Sequence, residues 1–218
     1  MPKKTGKNLV ITGGGRGIGF EATKKLLEAG FHVIMGVRNP EKVQEKMQTL
    51  EGSYEVLQLD LNSLESVKTF SKEVFKKNIP IHVLINNAGI MFGPRKESQD
   101  GHEQQLATNH LGHFLLTHLL LPKLIEGGTK DCFARVINVS SVAHFCGSWV
   151  DWNDINCKNF YHPYGAYGTS KAAQVLTSIY LNEKCQTMDE IHVTFNSVHP
   201  GVVRTELYTN AKLLYVRI

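Results

Sequence analysis

The chain has 218 residues, 42% hydrophobic and 20% charged, enough to bury a sizeable core and unlike a disordered or collagen-like chain. Its 24 Lys and Arg against 20 Asp and Glu leave a charge of +4, spread along the whole sequence. That surplus is too weak to argue for nucleic acid or an anionic membrane surface. Cys132, Cys146, Cys157 and Cys185 form no C-x-x-C pair and read as reduced thiols of a cytoplasmic protein, without a disulfide frame or a zinc site.

Apolar runs alternate with helical patterns along the chain. Asn8–Thr12 predicts a first strand that ends in Gly13-Gly14-Gly15. The apolar stretch after the basic start, Leu9-Val10-Ile11, is too short for a signal peptide. A helix follows from about Gly17 to Glu28, stopped by Ala29-Gly30. Phe31–Gly36 predicts a second strand, and Pro40 to Leu50 a charged helix with proline in its first turn. Tyr54–Leu59 predicts a third strand, closed by Asp60. Ser63 is placed to cap the next helix, whose Leu64, Val67, Phe70 and Val74 fall at helical spacing. Ile81–Ile85 predicts a fourth strand, and a long helical region runs from about Asp100 to Glu126 with a break or kink at Pro122. Within it the run Phe114–Leu121 contains Thr117 and His118 and is far short of a membrane span. Arg135–Val139, a helix from Tyr164 to about Cys185, and His192–Val198 complete the series. Strand and helix in alternation mean right-handed crossovers and an α/β fold: a three-layer, doubly wound parallel sheet in a single domain over 1–218.

The first turn, Thr12-Gly13-Gly14-Gly15-Arg16-Gly17-Ile18-Gly19, stands between strand and helix. It is either a flexible turn or a dinucleotide loop. In the second reading Gly13 allows the tight turn, Gly17 the approach of a pyrophosphate and Gly19 close helix–strand packing, with helix N–H groups facing the phosphates. The acid that usually binds the ribose is absent at the end of the second strand, where Gly36-Val37-Arg38-Asn39 stands instead. Arg38 and Arg16 suit a 2′-phosphate, which favours NADP(H) over NAD(H).

Tyr167 and Lys171 lie four apart on one face of a predicted helix. A neighbouring ammonium favours the phenolate, so such a pair can exchange a proton with an alcohol or carbonyl oxygen. Asn86-Asn87-Ala88-Gly89 ends the fourth strand, Ser140-Ser141 the fifth, and His199-Pro200-Gly201-Val202-Val203-Arg204-Thr205 follows the sixth, at the edge where open α/β sheets build their crevice. Asn109 lies on the helix between the fourth and fifth strands.

In this order, from Asn8 to Thr205, these motifs resemble the short-chain dehydrogenase/reductase superfamily. Ile81–Met91 and Asn109-His110-Leu111-Gly112-His113-Phe114-Leu115-Leu116-Thr117 are similar to its retinol-dehydrogenase-like branch. The resemblance implies a pyrophosphate loop from Thr12, Gly13, Arg16, Gly17, Ile18 and Gly19, and an adenine contact at Asp60 and Leu61. It implies ribose support at Asn87, Ala88 and Gly89, and a nicotinamide-side segment of Pro200, Gly201, Val203 and Thr205. It casts Tyr167 as acid/base, Lys171 as its tuner and ribose ligand, Ser141 as the group orienting the substrate oxygen, and Asn109 as the end of a water relay to Lys171. The implied substrate is a small-molecule alcohol or carbonyl of lipid-like class (retinoid, polyprenoid or steroid), and a homodimer through the two long helices is a further expectation.

Tyr167 lies 26 positions after Ser141, and the interval carries Trp149, Trp152, Phe160 and Tyr161. It is either a packed surface loop or one wall of an apolar pocket. His144, His162 and His199 lack the spacing of metal ligands. The family places a seventh strand and a helical lid after the sixth strand, and Val202 to Ile218 is too short for both. The sequence is therefore expected to lack the last strand and expose a sheet edge. A nucleotide-binding module with little turnover is the alternative to an active oxidoreductase.

Overall fold

A computed structural model describes residues 5–149 and 151–203, with the side chains of 148 and 149 left out. Strands β1 (Asn8–Thr12), β2 (His32–Val37), β3 (Tyr54–Gln58), β4 (Val83–Asn86), β5 (Ala134–Val139) and β6 (Val193–Val198) form one sheet in the order β3-β2-β1-β4-β5-β6. Every pairing is parallel. The chain thus starts at the centre, winds outward one way, and returns past β1 to wind the other way. The reversal between β1 and β4 leaves a crevice at the C-terminal strand ends.

Alternating side chains feed two cores. Val10, Ile34, Leu84, Val136 and Phe195 point to one face and pack with α3 (Leu64–Lys76), α5 (Gly112–Gly127) and α6 (Pro163–Gln186). Leu9, Ile11, Val33 and Met35 point to the other and meet Leu27 of α1 (Gly17–Glu28) and Met47 of α2 (Pro40–Met47). Strands buried on both faces read as continuous apolar runs, which is why β1 and β2 are plain in the sequence.

The helix starts obey local chemistry. Ser63 Oγ accepts from Ser66 N at 3.2 Å and Asn39 Oδ1 from Lys42 N at 3.2 Å. The region expected to be helical from Asp100 differs. Glu103, almost fully buried, caps a short turn α4 (Gln104–Leu106) by accepting from Gln105 N and Leu106 N. Burial pushes the Glu103 carboxyl above its usual range, against those two N–H bonds that pull it down. A π-helical turn, Ala107–Leu111, then precedes α5. The expected break at Pro122 does not occur, and α5 runs to Gly127. Pro122 and His118, whose carbonyl it deprives of a donor, are both exposed, so water can satisfy that carbonyl. An irregular turn does lie upstream, at the π turn, which carries Asn109.

Candidate active site

The glycine-rich turn closes over the start of α1. Gly13 has φ +68°, and a Cβ on Gly19 would stand 2.3 Å from Gly13 O and 2.5 Å from Asn87 Nδ2. Side chains are excluded there by backbone. Arg16, exposed, occupies the N-cap position of α1, and no side-chain hydrogen bond caps the helix. Its N–H groups are thus oriented for an anion, with Ile18 half-buried in the first turn. A cradle walled by backbone and floored by helix N–H groups fits a dinucleotide pyrophosphate.

The other cofactor-side candidates line the same strand ends. Arg38 is exposed at the end of β2. Asp60 Oδ1 accepts from Asn62 N at 3.0 Å, and Leu61 is buried against Gly112. Asn87 Nδ2 donates to Thr12 O at 2.9 Å, clamping the end of β4 to β1. A Cβ on Gly89 would meet Asn109 Oδ1 at 3.2 Å and Lys171 Nζ at 3.8 Å, so the Asn87-Ala88-Gly89 segment passes directly over the lysine. Pro200, Gly201 and Val203 are exposed beyond β6. Thr205, Arg204 and the expected sheet-edge tail to Ile218 lie outside the described residues.

The four catalytic candidates come from three segments: α6, the π turn and the end of β5. Lys171, on the first half of α6, is buried. Its Nζ donates to Val139 O at 2.8 Å and Gln174 Oε1 at 3.2 Å, and burial lowers its pKa to about 7. Tyr167 lies one turn earlier, its ring centroid 5.6 Å from that Nζ. The ring is held against Met91 and Ala143 and edge-on to Phe92 at 5.3 Å. Phe92 is kept at φ +58°, its N–H donating to Gln105 Oε1 at 2.9 Å. Asn109 is fully buried: Oδ1 accepts from Ile90 N at 2.9 Å and Nδ2 donates to Ile90 O and Ser170 Oγ. Ser141 is half-buried at the end of β5, its Oγ accepting from Ala143 N at 3.2 Å. Ser140 faces inward and donates to Lys171 O at 3.0 Å, a structural tie.

The aromatic interval after Ser141 forms two 3-10 turns, Val142–Trp149 and Trp152–Asp154. Its members divide. Tyr161 is a brace: its hydroxyl donates to Gly93 O at 2.6 Å and accepts from Gln105 Nε2 at 2.9 Å. Trp152 and Phe160 are 55% and 75% exposed. The Trp149 side chain lies outside the description. Among the described residues no His, Cys, Asp and Glu group is arranged to hold a metal ion.

Two interior residues that carry much of this geometry, His113 and Gln174, are not singled out as site residues by the sequence, although His113 lies within the Asn109–Thr117 stretch. Spacing gives a hint: His113 is four residues from Asn109, and Gln174 three from Lys171.

The profile of the short chain dehydrogenase family matches residues 7–213. The chain belongs to that family. Among short-chain dehydrogenases it is 40% identical to human polyprenol dehydrogenase over 213 residues, covering 95% of this chain and 64% of that protein. It is 39% identical to human retinol dehydrogenase 11, covering 96% of this chain and 65% of that one. These relatives place it in the retinol-dehydrogenase-like branch. The Pseudomonas aeruginosa RhlG/NADP active-site complex superposes with a TM-score of 0.77 at 28% identity, over 95% of this chain and 77% of that one.

Proposed function

We propose that this protein is an NADP(H)-dependent oxidoreductase acting on the hydroxyl or carbonyl group of a lipid-like small molecule. The observation that carries the reading is the placing of Tyr167 and Lys171 on one face of α6, beneath the Asn87-Ala88-Gly89 segment and beside the glycine cradle. In this reading Tyr167 moves the proton at the substrate oxygen, Ser141 orients that oxygen, and Lys171 stabilises the phenolate. The bound dinucleotide supplies or accepts the hydride. Gly13, Gly17 and Gly19 hold its pyrophosphate above the buried Thr12, whose hydroxyl is committed within the protein, and Arg16 and Arg38 hold its 2′-phosphate; charge-assisted bonds of that kind support NADP(H). Asp60 and Leu61 border the adenine, and Pro200, Gly201, Val203 and Thr205 the nicotinamide side.

Apolar side chains around the crevice support a lipid-like substrate. Phe92 stacks on Tyr164 at 4.4 Å beside Tyr167, and Val142 and the 70%-exposed Phe145 follow Ser141. Substrate names carried by the polyprenol and retinol dehydrogenases point the same way. Phe114 of α5 and Leu176, Ile179 and Tyr180 of α6 are exposed apolar side chains that support pairing of two copies through these helices, measurable by light scattering. Among the described residues no helix is long and apolar enough to cross a membrane.

The test is NADPH consumption against a panel of retinoid, polyprenoid and steroid aldehydes and ketones. Turnover that falls by roughly 10²-fold or more in Tyr167→Phe, with cofactor binding retained, is the expected result. Full activity in that variant would overturn the assignment.

A further inference from the structure

One unbroken run of hydrogen bonds leads from the glycine-rich turn to the lysine. Thr12 is fully buried, and its hydroxyl accepts the backbone N–H of Asn87 and of Ala88, each at 3.0 Å. Those two bonds use both lone pairs, so its proton goes to His113 Nε2 at 2.8 Å. His113 Nε2 is then the bare nitrogen, and Nδ1 carries the proton donated to Asn109 O at 2.9 Å. Gln174 Nε2 donates to that same oxygen at 2.8 Å, while Gln174 Oε1 accepts from Lys171 Nζ at 3.2 Å. The amide has only one sensible orientation here, because an ammonium only donates and a carbonyl only accepts.

Asn109 O therefore has both lone pairs filled by protein donors, His113 and Gln174. The Gln174 side-chain amide spans the gap between this oxygen and Lys171 Nζ. Gln174 is 1% exposed, and a small cavity lined by His113, Thr117, Asn138 and Gln174 adjoins it.

We infer that Gln174 is a positioning residue: it spans Lys171 Nζ and Asn109 O and holds the ammonium at Tyr167. As an inference about catalysis it rests on the dehydrogenase reading above. The titratable groups facing Lys171 are Tyr167 on its own helix and His113 from α5, with His110 of the π turn behind His113. Both histidines are held neutral by burial, His113 at about 3 and His110 at about 4, so neither competes for the ammonium at neutral pH.

Two variants separate positioning from packing. Gln174→Met fills the same space, excludes water and offers Lys171 no acceptor. Gln174→Ala leaves room for water to bridge the gap. If Gln174 positions the lysine, Gln174→Ala keeps more of kcat than Gln174→Met. The methionine variant then loses roughly 10-fold or more, the equivalent of one lost bond to a charged group, with KM little changed. If Gln174 only packs, the order reverses, because the alanine variant carries the cavity.

A second readout needs no substrate. Tyrosinate absorbance is titrated in the cofactor-free protein, with Tyr167→Phe subtracted to isolate Tyr167. The expected result is a shift to higher pH in Gln174→Met and little shift in Gln174→Ala. Equal titrations in all three proteins, or a methionine variant as active as the parent, would overturn the inference. If the parent turns over nothing, the dehydrogenase reading fails while this titration still decides the role of Gln174. Gln174→Leu replaces the methionine variant if that one does not fold.

Discussion

Replacing Thr12 by valine tests how the crevice is held together. Valine matches threonine in shape, so it opens no cavity. It strips a partner from Asn87 N, Ala88 N and His113 Nε2, all of which meet the hydroxyl at 2.8–3.0 Å. At about 1 kcal/mol for each group left unpaired, the loss is ~3 kcal/mol. For a chain of this length that corresponds to a fall in Tm of about 6–12 °C. Thr12→Ser keeps the oxygen and loses one methyl group, worth ~0.8 kcal/mol. The assay is thermal unfolding followed by circular dichroism for the parent and both variants at one protein concentration. A valine variant that melts with the serine variant would show that the hydroxyl ties contribute nothing, and the hydrogen-bond reasoning would be wrong.

Other expectations follow from single features. Arg38→Asp places an acid where a 2′-phosphate would sit, and is expected to lower the NADPH/NADH affinity ratio by about 10-fold or more in fluorescence titrations. Unchanged preference would remove Arg38 from the site. Gly19→Ala pushes a methyl onto Gly13 O, and should weaken cofactor binding and cost about 1–3 kcal/mol of stability, read by denaturant melts. His113 is held at about 3, against an ordinary value of 6.5. Between those values the unfolded chain binds a proton that the folded chain refuses. Stability therefore holds above pH ~6.5 and declines as pH falls toward ~3, which a Tm series across that range would show. A flat series would contradict the buried, neutral assignment.

Much of this fold is visible in the residues, and the exceptions share a cause. Helix α1 runs over Gly17–Glu28, where glycine turn and terminal stop put it, and β2 lies one residue along from Phe31–Gly36. These elements are governed by apolar runs and caps, which are local. The π turn at Ala107–Leu111 is not local: Asn109 is drawn into it by bonds to Ile90 and Ser170, 19 and 61 positions away. Proline at 122 is a strong local signal for a break, and solvent at the outer face of α5 defeats it. Tyr167, Lys171, Ser141 and Asn109 stand out through motif order. Gln174 has no motif and His113 stands unmarked within the Asn109–Thr117 stretch, because their importance lies in what tertiary folding brings to them. Tyr161 reads in the sequence as part of either a packed loop or an apolar wall, and only the contact with Gly93 and Gln105 reveals a brace.

The run of bonds that ends at Lys171 also has a kinetic meaning. Its links join residues 101 positions apart for Thr12 and His113, 65 for Asn109 and Gln174, and 32 for Val139 and Lys171. Contacts so distant in sequence close late, because the loop entropy between them is lost before any contact repays it. During refolding the helices can form and the apolar faces can collapse while the lysine is still adrift. Competence for catalysis would thus be the last property to return, arriving only when β1, β5, α5 and α6 have all found their places.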